Sequence, residues 1–145
     1  MKSYPSMLAV LAFFPAAAAL AQTPAVLRDL DTMSPTPLSR QDLDALMPNA
    51  RVQRMIASGN THIWTNESDG TFIVSSDNRT TASRPTTAPG KWHIADDGRY
   101  CVLIEWRYNP TEEWCRYVLK TTDGYYLTRS TKDPTGKVHK FEFSK

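Results

Sequence analysis

Three Asp-Gly dipeptides constrain the fold of this chain more than any other feature. They are Asp69-Gly70, Asp97-Gly98 and Asp123-Gly124. A tight hairpin turn needs positive φ angles, which glycine adopts at no cost and aspartate tolerates. An aromatic residue follows two positions after each glycine: Phe72, Tyr100 and Tyr126. At this spacing the ring can pack on the preceding strand of its own hairpin. The dipeptides therefore predict a series of antiparallel hairpins.

The segments around these turns are rich in aromatic and β-branched residues, which favour strands. The predicted strands are Val52–Ala57, Thr61–Thr65, Thr71–Ser75, Lys91–Ala95, Arg99–Glu105, Glu113–Lys120, Tyr125–Arg129 and Lys137–Phe143. Short strands separated by turn residues are typical of all-β folds. We expect a mainly antiparallel meander that forms a closed or half-open small barrel.

One short N-terminal α-helix is expected before the strands. In the segment SRQDLDALM, Ser39 is the N-cap and Asp42 occupies the third helical position, and Pro48 ends the helix. The apolar residues share one face: Leu43, Leu46 and Met47. We expect this face to cover an open end or a face of the sheet.

The chain contains two cysteines, Cys101 and Cys115, in neighbouring predicted strands. In an exported protein an even cysteine count favours a disulfide, and the absence of a Cys-x-x-Cys motif argues against a redox pair. Directly opposed residues of an antiparallel pair lie close enough for the bond. The bond would set the register of the hairpin, with two further opposed pairs: Val102 with Trp114, and Tyr100 with Arg116.

The first residues are typical of a secretory leader. Lys2 supplies a positive start, Met7–Leu20 is an apolar run, and Ala19-Leu20-Ala21 matches the small-residue pattern of a cleavage site. The apolar run is too short for a membrane span. We therefore predict a signal peptide that is cleaved after Ala21, and a protein that is periplasmic or secreted.

This leader divides the chain into three parts. The signal peptide covers residues 1–21, and residues 22–37, rich in Pro and Thr, are expected to form a flexible N-terminal arm. Residues 38–145 are expected to form a single β-rich domain. Within it, the polar segment Ser76–Pro89 fits either a mobile loop or a brief edge strand at Arg79–Ala82.

Charge and motifs argue against several functions. The chain has 17 basic and 15 acidic residues without a run of like charge, so neither nucleic acid nor an acidic membrane is an expected partner. Its three histidines lack metal-binding spacing, and neither a G-x-S-x-G motif nor a glycine-rich phosphate loop occurs. We predict no metal, no cofactor and no catalytic activity.

The aromatic residues are the best candidates for a functional role. Tryptophan and tyrosine suit surfaces that bind sugars, peptides or proteins, although they also fill the core of a small barrel. Trp106 and Tyr108 are expected to face outward because Pro110 cannot donate to a ladder and separates the strands. Arg79 and Arg84 of the polar segment complete the predicted binding residues.

Four segments resemble a proteobacterial exported family, domain of unknown function nine-nine-five: GKWHIADDGRYCVLIEW, EEWCRYVLK, GYYL and KVHKFEF. The similarity extends from Leu38 to Phe143. Its most specific residues are Gly90, Trp92, Gly98, Cys101, Cys115 and Arg116. The resemblance implies an exported small domain with cysteines, and it assigns no catalytic residue.

These features favour an exported non-catalytic binding module of the bacterial cell envelope. Its ligand would be a protein, a glycan or a small apolar molecule. The alternative is an inhibitor or immunity-type protein that blocks a secreted hydrolase through Arg107–Thr111 or Ser76–Pro89. No oligomeric state is predicted.

Overall fold

The computed structural model describes residues 22–145, and the predicted signal peptide lies outside the described residues. The chain begins with a 3-10 helix at Leu27–Met33, the short strand β1 at Thr36–Pro37 and the helix α1 at Arg40–Leu46. The remaining strands are β2 (Arg51–Met55), β3 (Thr61–Thr65), β4 (Thr71–Ser76), β5 (Thr86–Ile94), β6 (Tyr100–Ile104), β7 (Glu112–Thr121), β8 (Gly124–Thr128) and β9 (Val138–Ser144).

Strands β2 to β9 form a closed antiparallel barrel. Each strand pairs with the next one along the chain, and β9 pairs back with β2 to close the sheet. Strand β1 is added beside β7, where Thr36 lies opposite Lys120. The predicted all-β meander is confirmed, and the barrel is the closed form.

The Asp-Gly dipeptides lie at hairpin turns, as predicted. Within these three dipeptides only the glycines have positive φ angles, at +86° for Gly70, +78° for Gly98 and +108° for Gly124. The aspartates instead stabilise the turns with their side chains. Asp69 Oδ1, for example, accepts hydrogen bonds from the Thr71 amide at 2.9 Å and from its hydroxyl at 2.6 Å.

Two of the three aromatic residues after these glycines point into the barrel. The ring of Phe72 stacks on Trp64 of the preceding strand, with 5.2 Å between centroids. The ring of Tyr100 lies 6.5 Å from that of Trp92. Tyr126 lies opposite Leu119 on β7 and packs with it outside the main core.

The cysteines lie in the predicted register. Cys101 is opposite Cys115 and the two sulfur atoms are bonded. The neighbouring pairs follow the same register, with Val102 opposite Trp114 and Tyr100 opposite Arg116. The side chains at 100 and 102 are in the barrel core, so alternation places the bond on the outer face of the barrel.

One end of the barrel is covered by α1. The Ser39 hydroxyl accepts a hydrogen bond from the Asp42 amide at 3.1 Å, and the Asp42 carboxylate accepts one from the Ser39 amide at 2.9 Å. Leu43 and Met47 are fully buried against the core. The buried Asn66 holds this end together, because its amide donates to the Met47 carbonyl at 3.2 Å.

Asn66 also connects the helix end to two aromatic residues of the core. Its Oδ1 accepts hydrogen bonds from the Tyr100 hydroxyl at 2.8 Å and from Trp64 Nε1 at 3.0 Å. These bonds satisfy the polar atoms of both rings, so their burial carries no desolvation penalty for an unpaired group. Together with Leu43 and Met47, this hydrogen-bonded group closes the end of the barrel.

The structure corrects the flexible arm predicted for residues 22–37. Leu30 of the 3-10 helix is fully buried and packs on Leu119, Tyr126 and Val138. Val26 forms a bridge with Lys137. The arm is ordered because the outer face of β7, β8 and β9 carries apolar side chains that need to be covered.

The structure also differs over Ser76–Pro89. Residues 86–89 belong to β5, whereas the proposed edge strand at Arg79–Ala82 is replaced by a 3-10 turn at Arg79–Thr81. This turn is held by Asn60, whose Oδ1 accepts hydrogen bonds from the amide and hydroxyl of Thr80 at 2.9 and 2.7 Å. The early part of β5 lacks the usual strand pattern because its buried positions are Ala88 and Gly90.

Gly90 lies in a space that is too small for a side chain. A Cβ atom at this position would lie 2.2 Å from two ring carbons of Phe72 and 2.9 Å from the Leu103 carbonyl oxygen. We expect Gly90→Ala to lower the free energy of unfolding by about 1–3 kcal/mol through overpacking. Urea denaturation measures this, with Thr87→Ala on the exposed side of the same strand as control. Equal midpoints for the two variants would contradict the prediction.

Within residues 22–145, no helix is both long and apolar enough to cross a membrane.

Candidate binding cavity at the open end of the barrel

The end of the barrel opposite α1 is open and contains two cavities. The larger has a volume of about 600 Å³ and lies next to β2, β7, β8 and β9. The smaller, of about 400 Å³, lies beneath the loops that follow β4 and β6. Arg54 and Glu112 line both cavities, so this pair of residues forms the partition between them.

Arg54 lies inside the barrel because it alternates with the buried Val52 on β2. Its side chain is only 10% exposed, and its Nη2 atom lies 2.6 Å from Glu112 Oε1. Its guanidinium carbon lies 5.6 to 5.9 Å from the ring centroids of three aromatic residues: Trp64, Trp114 and Phe141. Cation–π attraction of this kind strengthens when the charge is desolvated.

Glu112 is the carboxylate that balances this charge. Besides Arg54, it accepts hydrogen bonds from Trp106 Nε1 at 3.2 Å and Trp114 Nε1 at 2.9 Å. Burial alone would raise the pKa of Glu112, but Arg54 and the two indole donors outweigh it, and the pKa lies below its usual value. Glu112 is therefore ionised at neutral pH and interacts with three donors, Arg54 and the two indoles.

His62 completes this group on the side of the smaller cavity. Its Nδ1 lies 3.1 Å from Arg54 Nη2. Because a guanidinium only donates hydrogen bonds, this Nδ1 accepts and the ring proton is on Nε2. The His62 ring also packs against Trp106, with 5.1 Å between centroids. Burial, followed by the charge of Arg54, lowers the pKa of His62 to about 4.

The neutral state of His62 predicts a loss of stability in mild acid. Its pKa is about 4 in the folded protein and about 6.5 in the unfolded chain, so the unfolded state takes up the proton first. The stabilising contribution is complete above about pH 6.5 and is lost as the pH falls toward 4, by at most about 1.4 kcal/mol per pH unit.

Urea denaturation over this pH range tests the prediction with two variants. His62→Gln retains an acceptor for Arg54 and should reduce the decline between about pH 6.5 and 5, whereas the part due to His139, whose pKa is also lowered, remains. His93→Gln, at an exposed position of β5, should leave the decline unchanged. A decline of the same size in the His62 variant and the wild type would contradict the assignment.

Arg116 is the second cation of the larger cavity. Its guanidinium carbon lies 5.8 Å from the centroid of the Trp114 ring, the same ring that Arg54 approaches at 5.8 Å. Among the described residues, the Arg116 side chain forms neither a hydrogen bond nor an ion pair. Burial, followed by the nearby charges of Arg129 and Arg54, lowers its pKa.

His139 lines the same cavity. Burial and then the charges of Arg116 and Arg54 lower the pKa of His139. The neutral form of His139 is thereby favoured. Among the described residues that face the barrel interior, the larger cavity therefore carries one balanced pair, Arg54 with Glu112, and one unbalanced cation, Arg116.

The structure brings one of the four predicted binding residues into this site. Trp106 lies at the smaller cavity and faces Glu112 and His62, not the outer surface. Tyr108 is 83% exposed on the loop after β6 and stacks beside Arg107. Arg79 and Arg84 are exposed on the loop between β4 and β5. None of these three lines either cavity.

The charged residues of the cavity were not among the residues predicted to form a site. Arg54, His62 and Glu112 had a usable signal, because each is separated by one residue from an apolar residue that faces the barrel interior: Val52, Trp64 and Trp114. A charge at such a position of a strand indicates either a pairing partner or a cavity. Arg116 was placed opposite Tyr100 by the predicted register, without recognition that this position faces inward.

The fold and the cavity define a class of protein: a small antiparallel barrel with one covered end and one open end of ligand size. The family is shown by sequence comparison. The model of the family described as "Protein of unknown function (DUF995)" matches residues 12–116, and the chain belongs to this family. Arg54, Glu112 and Arg116 lie within the matched range, whereas His139 lies beyond it. No curated protein and no solved structure matches the chain significantly.

Proposed function

We propose that this protein is an exported, non-catalytic binding module that takes a small, partly apolar molecule into the open end of its barrel. The observation that carries the proposal is the larger cavity. Its volume of about 600 Å³ falls within the range of small-molecule sites, roughly 300–1,000 Å³. Its walls combine Trp114, Leu127 and Phe141 with a few polar groups, which is the usual composition of such sites.

The hydrogen bonds of the titratable groups favour binding over catalysis. A general base needs a lone pair that can reach a substrate proton. Glu112 is occupied by Arg54 and two indole donors, and the accepting nitrogen of His62 is occupied by Arg54. These bonds compete with proton transfer at Glu112 and His62, and this supports a binding role for the pair. The remaining candidate base in the larger cavity is His139, whose ring forms no hydrogen bond with the described residues.

Export is part of the proposal. The leader pattern at residues 1–21 and the bond between Cys101 and Cys115 both favour an oxidising compartment. Expression with the leader, followed by fractionation and N-terminal sequencing, tests it. We expect a periplasmic or secreted form that begins at Gln22, and accumulation of the unprocessed chain in the cytoplasm would contradict export.

Ligand binding is tested with N-phenyl-1-naphthylamine, a neutral apolar probe whose fluorescence increases in apolar sites. We expect saturable binding of one probe per chain. The indole N–H resonances of the four tryptophans locate it by NMR. Trp114 lines the cavity, and its resonance should shift. Trp92 donates its indole hydrogen to the Glu67 carbonyl at 2.8 Å near the covered end and serves as the internal control.

Two outcomes would contradict this proposal. One is the absence of binding up to the solubility limit of the probe. The other is a shift confined to Trp92, since this would place the probe outside the open end of the barrel.

A second candidate function, inhibition of a secreted hydrolase, is favoured by Tyr108. This side chain is 83% exposed, and the Arg107 guanidinium lies 5.3 Å from its ring centroid. Tyrosine and arginine frequently dominate the binding energy of protein interfaces. If this function applies, immobilised protein retains a hydrolase stoichiometrically and inhibits it, and Tyr108→Ala abolishes both effects.

A further inference from the structure

We infer that the molecule bound in the larger cavity is an amphipathic anion, whose negative group binds Arg116 while its apolar part packs on Trp114, Leu127 and Phe141. This inference rests on the proposed binding function and specifies the class of ligand. It follows from the charge balance of the cavity, the free donors and the position of the apolar wall.

The charge balance of the cavity is positive. The charge of Arg54 is neutralised by Glu112 at 2.6 Å, whereas that of Arg116 has no counter-ion among the described residues. A partly buried charge without a partner is costly. Lys140 and Glu142 also border the cavity, but they alternate with Phe141 on β9 and therefore belong to the outer face of the barrel. An anion is the ligand that would remove the imbalance.

Unused hydrogen-bond donors indicate the same chemistry. Arg54 Nε has no hydrogen-bond partner among residues 22–145, but protein atoms enclose it, so Arg116 supplies the donors that a ligand can reach. The guanidinium of Arg116 donates no hydrogen bond within the described chain. Both guanidinium groups lie 5.8 Å from the centroid of the Trp114 ring. Guanidinium donors bind carboxylate, sulfonate and phosphate oxygens with charge-assisted hydrogen bonds.

The apolar wall of the cavity would bind the apolar part of the ligand. Leu127 and Phe141 are nearly fully buried, and Trp114 is packed against the same core. A fully charged ligand such as a free phosphate or sulfate would leave this wall without contacts. A molecule with one anionic end and an apolar body would use both the cations and the wall.

A matched pair of probes tests the inference directly. The neutral N-phenyl-1-naphthylamine and the anionic 8-anilinonaphthalene-1-sulfonate share the same rings and differ by the sulfonate. We expect the anionic probe to bind at least roughly tenfold more tightly, because of the charge-assisted hydrogen bonds from Arg116 and the positive charge balance of the cavity. Dodecanoate should likewise displace either probe more effectively than 1-dodecanol.

The residue assignment is tested with Arg116→Gln. We expect its affinity for the anionic probe to fall by roughly tenfold while its affinity for the neutral probe stays within about twofold. The matched control is Arg51→Gln, which removes an exposed arginine from the covered end of β2 and should change neither affinity. Circular dichroism and the thermal midpoint establish that each variant is folded.

The outcomes separate the two proposals. If neither probe binds the wild type, the binding function itself is wrong. If both probes bind equally, or if Arg116→Gln and Arg51→Gln have the same effect, only the inference of an anionic ligand is overturned. If Arg116→Gln does not fold, the fatty acid and alcohol competition on the wild type decides the question.

Discussion

The Glu112→Gln variant is expected to lose about 3–5 kcal/mol of the free energy of unfolding, because it leaves a buried cation without its counter-ion. Arg54 is only 10% exposed and has Glu112 as its carboxylate partner at 2.6 Å. Glutamine has nearly the same shape as glutamate, and its amide oxygen can still accept from an indole. The loss therefore reports the charge of residue 112 and not its volume.

Urea denaturation of two further variants completes this test. Glu113→Gln, on the same strand at an exposed position, should change the free energy of unfolding by less than about 0.5 kcal/mol. The double variant Arg54→Met with Glu112→Gln removes both charges and should recover much of the lost stability, because an apolar replacement of a buried pair is often neutral. If Glu112→Gln is as stable as Glu113→Gln, the pair contributes little.

Removing the disulfide is expected to have the second largest effect. The bonded cysteines are separated by 14 residues, and closing a loop of this size restricts the unfolded chain by about 3 kcal/mol in the chain-entropy model. Loss of a native disulfide from a small domain typically costs about 2–5 kcal/mol. We expect Cys101→Ala with Cys115→Ala to be destabilised by this amount.

Denaturation with and without a thiol reductant provides the control for this prediction. The reductant should lower the unfolding midpoint of the wild type toward that of the double variant and should leave the double variant unchanged. An equal decrease of the unfolding midpoint in both proteins would contradict the prediction, because the reductant would then act on something other than this disulfide.

The two predictions concern opposite faces of the same pair of strands. The disulfide joins β6 and β7 on the outside, and Glu112 and Trp114 extend from β7 into the open end of the barrel. The bond holds the strand that carries Glu112, Trp114 and Arg116, three residues of the proposed binding site. We expect the disulfide to stabilise the positions of these groups as well as the fold.

Much of the local structure could be predicted from the sequence. The Asp-Gly turns, seven of the eight strand positions to within two residues at either end, and the register of Cys101 with Cys115 follow from rules that act over a few residues. The cap of α1 is also local, because Ser39 and Asp42 bond to each other's amides. These features need no knowledge of the rest of the chain.

The predictions were wrong where contacts with a segment distant in the sequence determine the local structure. The arm at residues 22–37 was expected to be flexible, but Leu30 covers Leu119 and Tyr126, which lie about ninety residues further along the chain. The polar start of β5 has no strand pattern of its own, and Phe72 from the neighbouring strand occupies the space beside Gly90. In both segments tertiary packing stabilises a structure that the local sequence does not favour by itself.

The sequence by itself determined that this chain is a series of antiparallel hairpins with one covalent cross-link, because turns, caps and alternation are properties of short segments. Only the tertiary structure decided that the sheet closes through β2 and β9 and that Arg54, Glu112 and Arg116 meet inside it. Alternation assigns residues to two faces of a strand but does not say which charges from distant strands share the interior. The pairing of β2 with β9 closes the barrel and so determines which charged residues meet in the cavity.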